Sequence, residues 1–290
     1  MKIASPVLRK LLQPKNFYFL APLRLREKYS SLCPPCLCGE RRNRVIRSSG
    51  MKHAVLSCLF LLMPAAVAGE MDFERVVDAM QAAAAQARDA TYIFHRQEYA
   101  DGKQRPAERA AVKYRAPNDV YMKWLGPAHE GRELLFRPDW NGGRLRVTPG
   151  RWLPNINLDP RGRLAMRGNR HDILELPFPA IIENFTGSAA LIRANPALRA
   201  RIDDLGEKQR LGETGHCYHL QLPKKQEPRL YAAETELCVS LRTGLPLTIK
   251  NWDVEDGALR LVEDYGYEDV QVNVGLTDLD FDPDNPAYGF

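Results

Sequence analysis

The sequence predicts an α+β fold in which a strongly curved antiparallel β-sheet, an incomplete barrel, is covered by helices. Two observations predict the sheet. Apolar and polar residues alternate from Thr91 onward, and turn pairs such as Asp101-Gly102 and Asp256-Gly257 interrupt the alternating segments. A third observation predicts the helices, because apolar residues recur every three or four positions in two stretches. A sheet with one apolar face must bury that face, and helices can cover it.

Residues 51–68 have the pattern of a secretory signal peptide. Lys52 provides a positive charge, an apolar run follows, and Ala66-Val67-Ala68 forms a small-residue cleavage pattern. We expect cleavage near Gly69 and a periplasmic mature protein. Two alternatives stay open. One is a membrane anchor, although the apolar run is shorter than the roughly 20 residues that span a bilayer as a helix. The other is a lipoprotein signal with Cys58 as the modified residue.

Residues 1–50 differ in composition from the rest of the chain. They carry eleven Lys and Arg against two Glu, so we expect an untranslated or disordered extension upstream of a true start at Met51. Residues 69–290 carry 29 Lys and Arg against 34 Asp and Glu. This acidic balance argues against a nucleic-acid partner. The mature chain is long enough for one domain, 69–290, with a substantial core.

An amphipathic helix is predicted at the start of the mature chain. Its apolar positions, which include Phe73, Val77 and Met80, are three or four residues apart, and its middle is rich in alanine. From Thr91 the period changes to two, as in residues 120–124. This is the pattern of strands that bury one face.

The alternation stops between about residues 151 and 206. A loop rich in proline and glycine leads into a second helical segment, whose apolar stripe includes Ile181 and Phe185. After it, Asn195-Pro196 has the pattern of an N-cap and a first helical residue, and Gly206 that of a C-terminal cap. The sequence therefore predicts a short helix between them.

Cys217 and Cys238 are the two cysteines of the mature chain. Placing them opposite each other in an antiparallel pair also places Tyr218 opposite Leu237 on one face, and brings the polar residues of the two strands together on the other. Mainly apolar residues then lie on one face of this strand pair, and mainly polar residues lie on the other. We predict a cross-strand disulfide in an oxidising compartment, and the alternative is two free thiols.

The next hairpin can be aligned in the same way. A three-residue loop pairs Val239 with Leu247 and Leu237 with Ile249. Beyond Ile249 the apolar phase shifts from odd to even positions, which predicts a β-bulge near Asn251.

Catalytic and metal-binding patterns are weak. Ser188 and Ser240, the serines of the mature chain, lack the Gly-X-Ser-X-Gly context of a hydrolase nucleophile. His216 and His219 point to opposite faces of a strand, which argues against a metal pair. His171-Asp172 is interpreted as a polar surface pair, and the aspartates near the C terminus as a solvated acidic tail. We therefore expect no enzyme, no cofactor and no metal site.

Several stretches carry a resemblance to a known superfamily. They are the turn Thr243-Gly244-Leu245-Pro246, which introduces a late strand, and the segments VKYRAPNDVYMKWLGP, EGRELLFRPDWNGGRLRV and DFDPDNPAYGF. Together with the opening helix and the helical lid, they resemble the periplasmic LolA/LolB-like superfamily, and within it an uncharacterised domain-of-unknown-function family. The resemblance implies a curved half-barrel closed by helices, with an apolar cavity that binds acyl chains of lipids or lipoproteins.

We expect a monomeric binding or carrier protein whose partners are lipid or lipoprotein acyl chains. The alternative is a non-enzymatic envelope sensor or protein-interaction module on the same fold. The residues predicted to line the ligand space share the inner-face parity of their strands or the apolar stripe of the second helix. They are Val120, Met122, Trp124, Ile181, Ile182, Phe185, Tyr218, Leu220, Leu237, Val239, Leu247 and Ile249.

Overall fold

The computed structural model describes residues 73–150 and 153–290. Three predicted features lie outside these residues: the extension at 1–50, the signal peptide at 51–68 and the alternative lipidation at Cys58. The described residues form a twelve-stranded antiparallel sheet and two α-helices, α1 (Phe73–Gln86) and α2 (Phe178–Ala194). The α+β class and the curved, open sheet covered by helices are confirmed.

The sheet is made of two meanders that meet at its centre. The strands are β1 (Asp89–Ala100), β2 (Lys103–Gln104), β3 (Glu108–Arg115), β4 (Asp119–Trp124), β5 (Glu133–Phe136), β6 (Leu145–Thr148), β7 (Ile156–Leu158), β8 (Arg201–Arg210), β9 (Glu213–Gln221), β10 (Glu234–Ser240), β11 (Pro246–Glu255) and β12 (Ala258–Val272). Their order is β7-β6-β5-β4-β3-β1-β12-β11-β10-β9-β8, with β2 paired to β1 alone. The first meander, β1 to β7, therefore joins the second, β8 to β12, where β1 pairs with β12.

Both helices pack on the inner face of the sheet. The buried residues of α1, among them Val77 and Met80, have the predicted helical spacing. α2 begins after Pro177, which is extended, and ends where Asn195 leaves helical geometry at φ −131°. An ion pair between Arg193 of α2 and Glu74 of α1, 2.7 Å from Nε to Oε2, links the two helices.

The space between the helices and the sheet centre is filled by side chains. The ring of Phe178 at the start of α2 lies 4.8 Å from that of Tyr92 and 4.6 Å from that of Tyr267. Phe94 lies 5.2 Å from Tyr267. All four residues are buried. This part of the molecule is therefore a packed core rather than an open space.

The prediction of a short helix between Asn195 and Gly206 is wrong. The Asn195 carbonyl accepts a turn hydrogen bond from the N–H of Leu198 at 2.9 Å, and β8 begins at Arg201. Gly206 has a φ of +70° because β8 shifts register against β9 between Asp204 and Gly206. The residue types that cap helices also form turns and bulges, and pairing with β9 decides the outcome.

The predicted register of Cys217 and Cys238 is confirmed. They are direct partners in the β9–β10 pair, and they form a disulfide with a Cα–Cα distance of 4.0 Å. Both are fully buried, although they lie on the face opposite the main core. Leu205 and Leu247 pack against them and exclude water from this part of the outer face.

Two bulges determine which residues of β11 face the core and which face outward. The predicted bulge near Asn251 is confirmed, since Asn251 pairs with Glu263 and Trp252 with Leu261. A second bulge was not predicted: Leu237 pairs with Ile249, but Val239 pairs with Pro246 rather than Leu247.

The segment after β12 covers the outer face of the first meander. Phe281 is fully buried against Tyr121 and Leu135. Tyr288 stacks on Tyr121 at 3.9 Å between ring centroids, and Lys113 Nζ lies 2.7 Å from Asp280 Oδ1. The acidic segment is therefore packed on the sheet, and its interpretation as a solvated tail is wrong.

Candidate ligand-binding cavity

A cavity of about 540 Å³ lies between the first meander and the loop at residues 160–176. One wall is an apolar stripe across four neighbouring strands. Met122 of β4 pairs with Leu134 of β5, Leu134 with Val147 of β6, and Val147 with Ile156 of β7. All four line the cavity. Direct cross-strand partners present their side chains on the same face, so the alternation of each strand produces this stripe.

The loop at residues 160–176, which we call the cavity loop, forms the opposite wall. Leu164, Ala165, Ile173 and Leu176 line the cavity from this side. Ile173 and Leu176 are buried, whereas Leu164 is 70% exposed. The apolar lining therefore runs from the core to solvent along the loop.

A row of polar side chains crosses the inner face of the sheet beside this cavity. Glu98 of β1 lies opposite Glu263 of β12, and Glu263 lies opposite Asn251 of β11. On the other side, Arg96 of β1 lies opposite Glu108 of β3. We call this row the polar band, and its members are Glu108, Arg96, Glu98, Glu263, Asn251 and Thr235.

The carboxylates of the polar band are saturated with hydrogen bonds. Glu263 accepts from Asn251 Nδ2 at 2.7 Å and from the Tyr231 hydroxyl at 2.7 Å. Glu98 accepts from the Tyr265 hydroxyl at 2.5 Å. Glu98 and Glu263 are 2% and 3% exposed, and buried polar groups need such partners to offset the loss of water.

The cavity loop is attached to the polar band by Arg170 and His171. The backbone N–H of Arg170 donates to Glu98 at 2.9 Å, and its Nε donates to Glu263 at 3.3 Å. The two ring nitrogens of His171 lie 2.8 Å from Glu175 and 2.9 Å from Glu263. These contacts hold the loop over the inner face.

His171 and Glu263 form a charged pair at neutral pH. Burial lowers the pKa of His171, but the hydrogen bond and charge of Glu263 outweigh it and raise that pKa from 6.5 to about 9. Burial raises the pKa of Glu263, but the hydrogen bonds from His171, Asn251 and Tyr231 outweigh it and lower that pKa to about 2. The His171 side chain is only 14% exposed, so its interpretation as a surface residue is wrong.

Glu108 is the acceptor nearest the apolar stripe. Its Oε2 accepts from Arg96 Nη2 at 2.7 Å and from the Trp124 indole at 3.0 Å, and its Oε1 lies 3.3 Å from His129 Nε2. The charge of Arg96 outweighs burial and lowers the pKa of Glu108. Arg132, also in the cavity wall, lies over the Trp124 ring at 5.6 Å.

Residues 87–290 match a protein-family model described as Protein of unknown function (DUF1571). The chain belongs to this family. A search of curated proteins found no match.

Solved structures that match this DUF1571 chain share little sequence with it. MucB is 13% identical over 74% of this chain, with a TM-score of 0.43, and the match covers 63% of the MucB chain, less than two thirds of its length. The LolA superfamily protein NE2245 from Nitrosomonas europaea is 14% identical over 73% of this chain and 98% of its own, with a TM-score of 0.31. The lipoprotein LppX of Mycobacterium tuberculosis is 10% identical over 71% and 97%, with a TM-score of 0.41. The name of NE2245 is that of the LolA superfamily, which the sequence resembles.

Of the twelve residues predicted to bind ligand, Met122 and Trp124 line the cavity of the DUF1571 chain. Nine others lie in the main core or pack against it: Val120, Ile181, Ile182, Phe185, Tyr218, Leu220, Leu237, Val239 and Ile249. The six strand residues share the inner face with the cavity wall, but the helices, with Ile181, Ile182 and Phe185 of α2 among their buried residues, fill the space over them. Leu247 lies elsewhere, because the unpredicted bulge in β11 turns it to the outer face against Cys217 and Cys238.

The polar band of this DUF1571 chain was missed by sequence reasoning, although a signal was present. Glu98 has the same parity as the core residues Tyr92 and Phe94, and Glu263 the same parity as Tyr265 and Tyr267. Charged residues at core parity on neighbouring strands predict a buried polar row.

Other kinds of site are absent from the part of the chain that the structure describes. Residues 73–150 and 153–290 contain no group of three His, Cys, Asp or Glu side chains placed to hold a metal ion. Among the helices of the same residues, none combines the length and the apolar character needed to cross a membrane.

Proposed function

We propose that this protein is a periplasmic binding or carrier protein that holds the acyl part of a lipid or lipoprotein in the cavity between the first meander and the loop at residues 160–176. The observation that carries the proposal is the apolar stripe from Met122 to Ile156, faced by Ile173 and Leu176 of the loop. A volume of about 540 Å³ lies within the roughly 300–1,000 Å³ of small-molecule sites. Burial of each methylene contributes about 0.8 kcal/mol.

The compartment is part of the proposal. The Cys217–Cys238 disulfide supports export, because structural disulfides persist in oxidising compartments. The signal pattern at residues 51–68 supports the same route. Expression of the chain from Met51 with fractionation of cells tests it, and recovery of the uncleaved protein in the cytoplasm would contradict it.

The binding proposal is tested with the purified mature protein. We expect native mass spectrometry and solvent extraction to recover bound lipid, and a fluorescent fatty acid to bind the emptied protein. The variant Ala165→Trp places an indole in the cavity, since Ala165 lines it, and should abolish probe binding. Ala79→Trp is the matched control, because Ala79 is exposed on α1, and it should leave binding unchanged.

Two outcomes would contradict the binding proposal. One is the absence of both lipid and probe binding in the wild-type protein. The other is equal binding by the two tryptophan variants. Recovery of one stoichiometric protein partner, unaffected by removal of lipid, would favour the alternative function of an envelope sensor or interaction module.

A further inference from the structure

Among the described residues, three arginines of the cavity wall form no ion pair: Arg105 and Arg132, which are half-buried, and Arg167, which is exposed. The side chains of Arg105 and Arg132 both line the cavity. Within residues 73–150 and 153–290, no carboxylate lies within ion-pair distance of either guanidinium. Arg132 is half-buried over the Trp124 ring, so one side of its guanidinium is shielded from water.

The acid nearest to these arginines is already occupied. Both oxygens of Glu108 are in use, by Arg96 and Trp124 on one side and His129 on the other. The other acid in the cavity wall, Glu98, is held by Tyr265 and the Arg170 backbone. The carboxylates therefore leave an excess of positive charge on this wall, although residues 69–290 as a whole are acidic.

Burial in this wall lowers the pKa of two of its cationic groups. Burial is the main cause that lowers the pKa of Arg132, and the charge of Arg96 lowers it further against the opposing effect of Glu108. Burial also lowers the pKa of His129, with Arg132, Arg96 and Arg105 acting in the same direction. An anion at this wall would stabilise the charged form of the partly desolvated arginines.

The guanidinium of Arg105 lies against the backbone of the cavity loop. Gly168 has a φ of +76°, and a β-carbon at this residue would lie 1.7 Å from Nη2 of Arg105. The backbone of Gly168 therefore packs directly against the guanidinium. This contact places the guanidinium at the boundary between the cavity loop and the cavity.

We propose that Arg105 and Arg132 bind the anionic head of an acyl ligand, a carboxylate or a phosphate monoester, while its chain lies on the apolar stripe. The inference rests on the proposed function and narrows the ligand to anionic amphiphiles. Arginine presents paired N–H donors that match the geometry of both headgroups.

The first experiment uses the wild-type mature protein and ligands that differ only in the head. Hexadecanoic acid, hexadecyl phosphate and methyl hexadecanoate compete with a fluorescent fatty acid at neutral pH. We expect at least one anionic ligand to bind about tenfold more tightly than the ester, the effect of a charge-assisted hydrogen bond. The preferred anion identifies the headgroup class.

The second experiment assigns the effect to the arginines. Arg132→Gln and Arg105→Gln should each weaken the preferred anion about tenfold and leave the ester unchanged. Arg75→Gln is the control, since Arg75 is exposed on α1, and it should change neither. Ester binding also shows that each variant is folded.

The outcomes separate this inference from the proposed function. If the ester and both anions bind equally, or if the arginine variants weaken all three equally, the headgroup inference is overturned while the carrier proposal stands. If none of the three binds the wild-type protein, the carrier proposal fails and the inference fails with it.

Discussion

The Nε2 atom of His171 lies 2.9 Å from Oε1 of Glu263, and this contact joins the cavity loop to the last strand of the sheet. Glu263 sits at the centre of the polar band, opposite both Glu98 and Asn251. The loop that closes the cavity is therefore held by a buried ion pair. Removal of one partner from such a pair leaves an uncompensated charge.

The His171–Glu263 pair predicts a loss of stability at alkaline pH. The pKa of His171 is raised from 6.5 to about 9 in the folded protein. The histidine therefore contributes fully below pH 6.5, and its contribution is lost as the pH rises through 9. The shift corresponds to about 3 kcal/mol of unfolding free energy, measured by urea unfolding between pH 6 and pH 9. His171→Gln should remove this dependence.

His129→Gln is the control for the alkaline prediction. The pKa of His129 is lowered by burial and by Arg132, so this histidine is neutral in the folded protein above pH 6.5 and does not stabilise it as a cation. The alkaline loss should persist in His129→Gln. An equal loss in wild type and His171→Gln would contradict the assignment.

The disulfide predicts a second stability effect. It closes a loop with a sequence separation of 21, and the entropy of such a loop in the unfolded chain corresponds to about 3 kcal/mol. We expect the double variant Cys217→Ala/Cys238→Ala to lose roughly this amount. Reductant should lower the melting temperature of the wild type and leave that of the variant unchanged. A similar response of both proteins to reductant would show that the disulfide is not its target.

Gly168 predicts an effect on binding that is separate from stability. Gly168→Ala and Gly102→Ala place a methyl group at nearly the same φ, +76° and +74°, but only the first meets a neighbour, Arg105. Both should lose about 1–2 kcal/mol of stability from backbone strain. Only Gly168→Ala should weaken binding of the acyl anion, measured by competition with the fluorescent fatty acid. Equal affinities of the two variants would count against the role of Arg105.

The C-terminal segment predicts a contrast between two neighbouring residues. Phe281 is fully buried and Leu279 is 57% exposed in the same helical turn. Phe281→Ala should cost about 3–5 kcal/mol, whereas Leu279→Ala should change stability by about 0.5 kcal/mol or less. Thermal and urea unfolding measure both. A small effect of Phe281→Ala would mean that this segment is not part of the cooperative fold.

The sequence predicted those parts of the fold that depend on strict alternation. The pairing of Cys217 with Cys238 and the bulge at Asn251 follow from the parity of apolar residues within each strand. The face on which the Leu247 side chain lies could not be predicted, because the bulge at this residue depends on how β11 pairs with β10. Gly206 was misread for the same reason, since a helix cap and a bulge both use a residue at positive φ.

The candidate site was predicted in part. Parity identified the inner face and therefore Met122 and Trp124, but parity does not show where helices fill that face. Leu237 and Ile249 consequently pack in the core rather than line the cavity. The roles of Arg105 and Arg132 depend on contacts with a distant loop and on the absence of nearby acids, which a strand pattern does not contain.

The outermost long strand, β8, has consequences for how the molecule behaves in solution. An unpaired strand edge offers a template on which a second chain can add, the first step of aggregation. In β8 the register shift at Gly206 interrupts that template, and the exposed charges of Arg201 and Glu207 disfavour a neighbouring strand. These two features of β8 therefore protect the protein against edge-to-edge association.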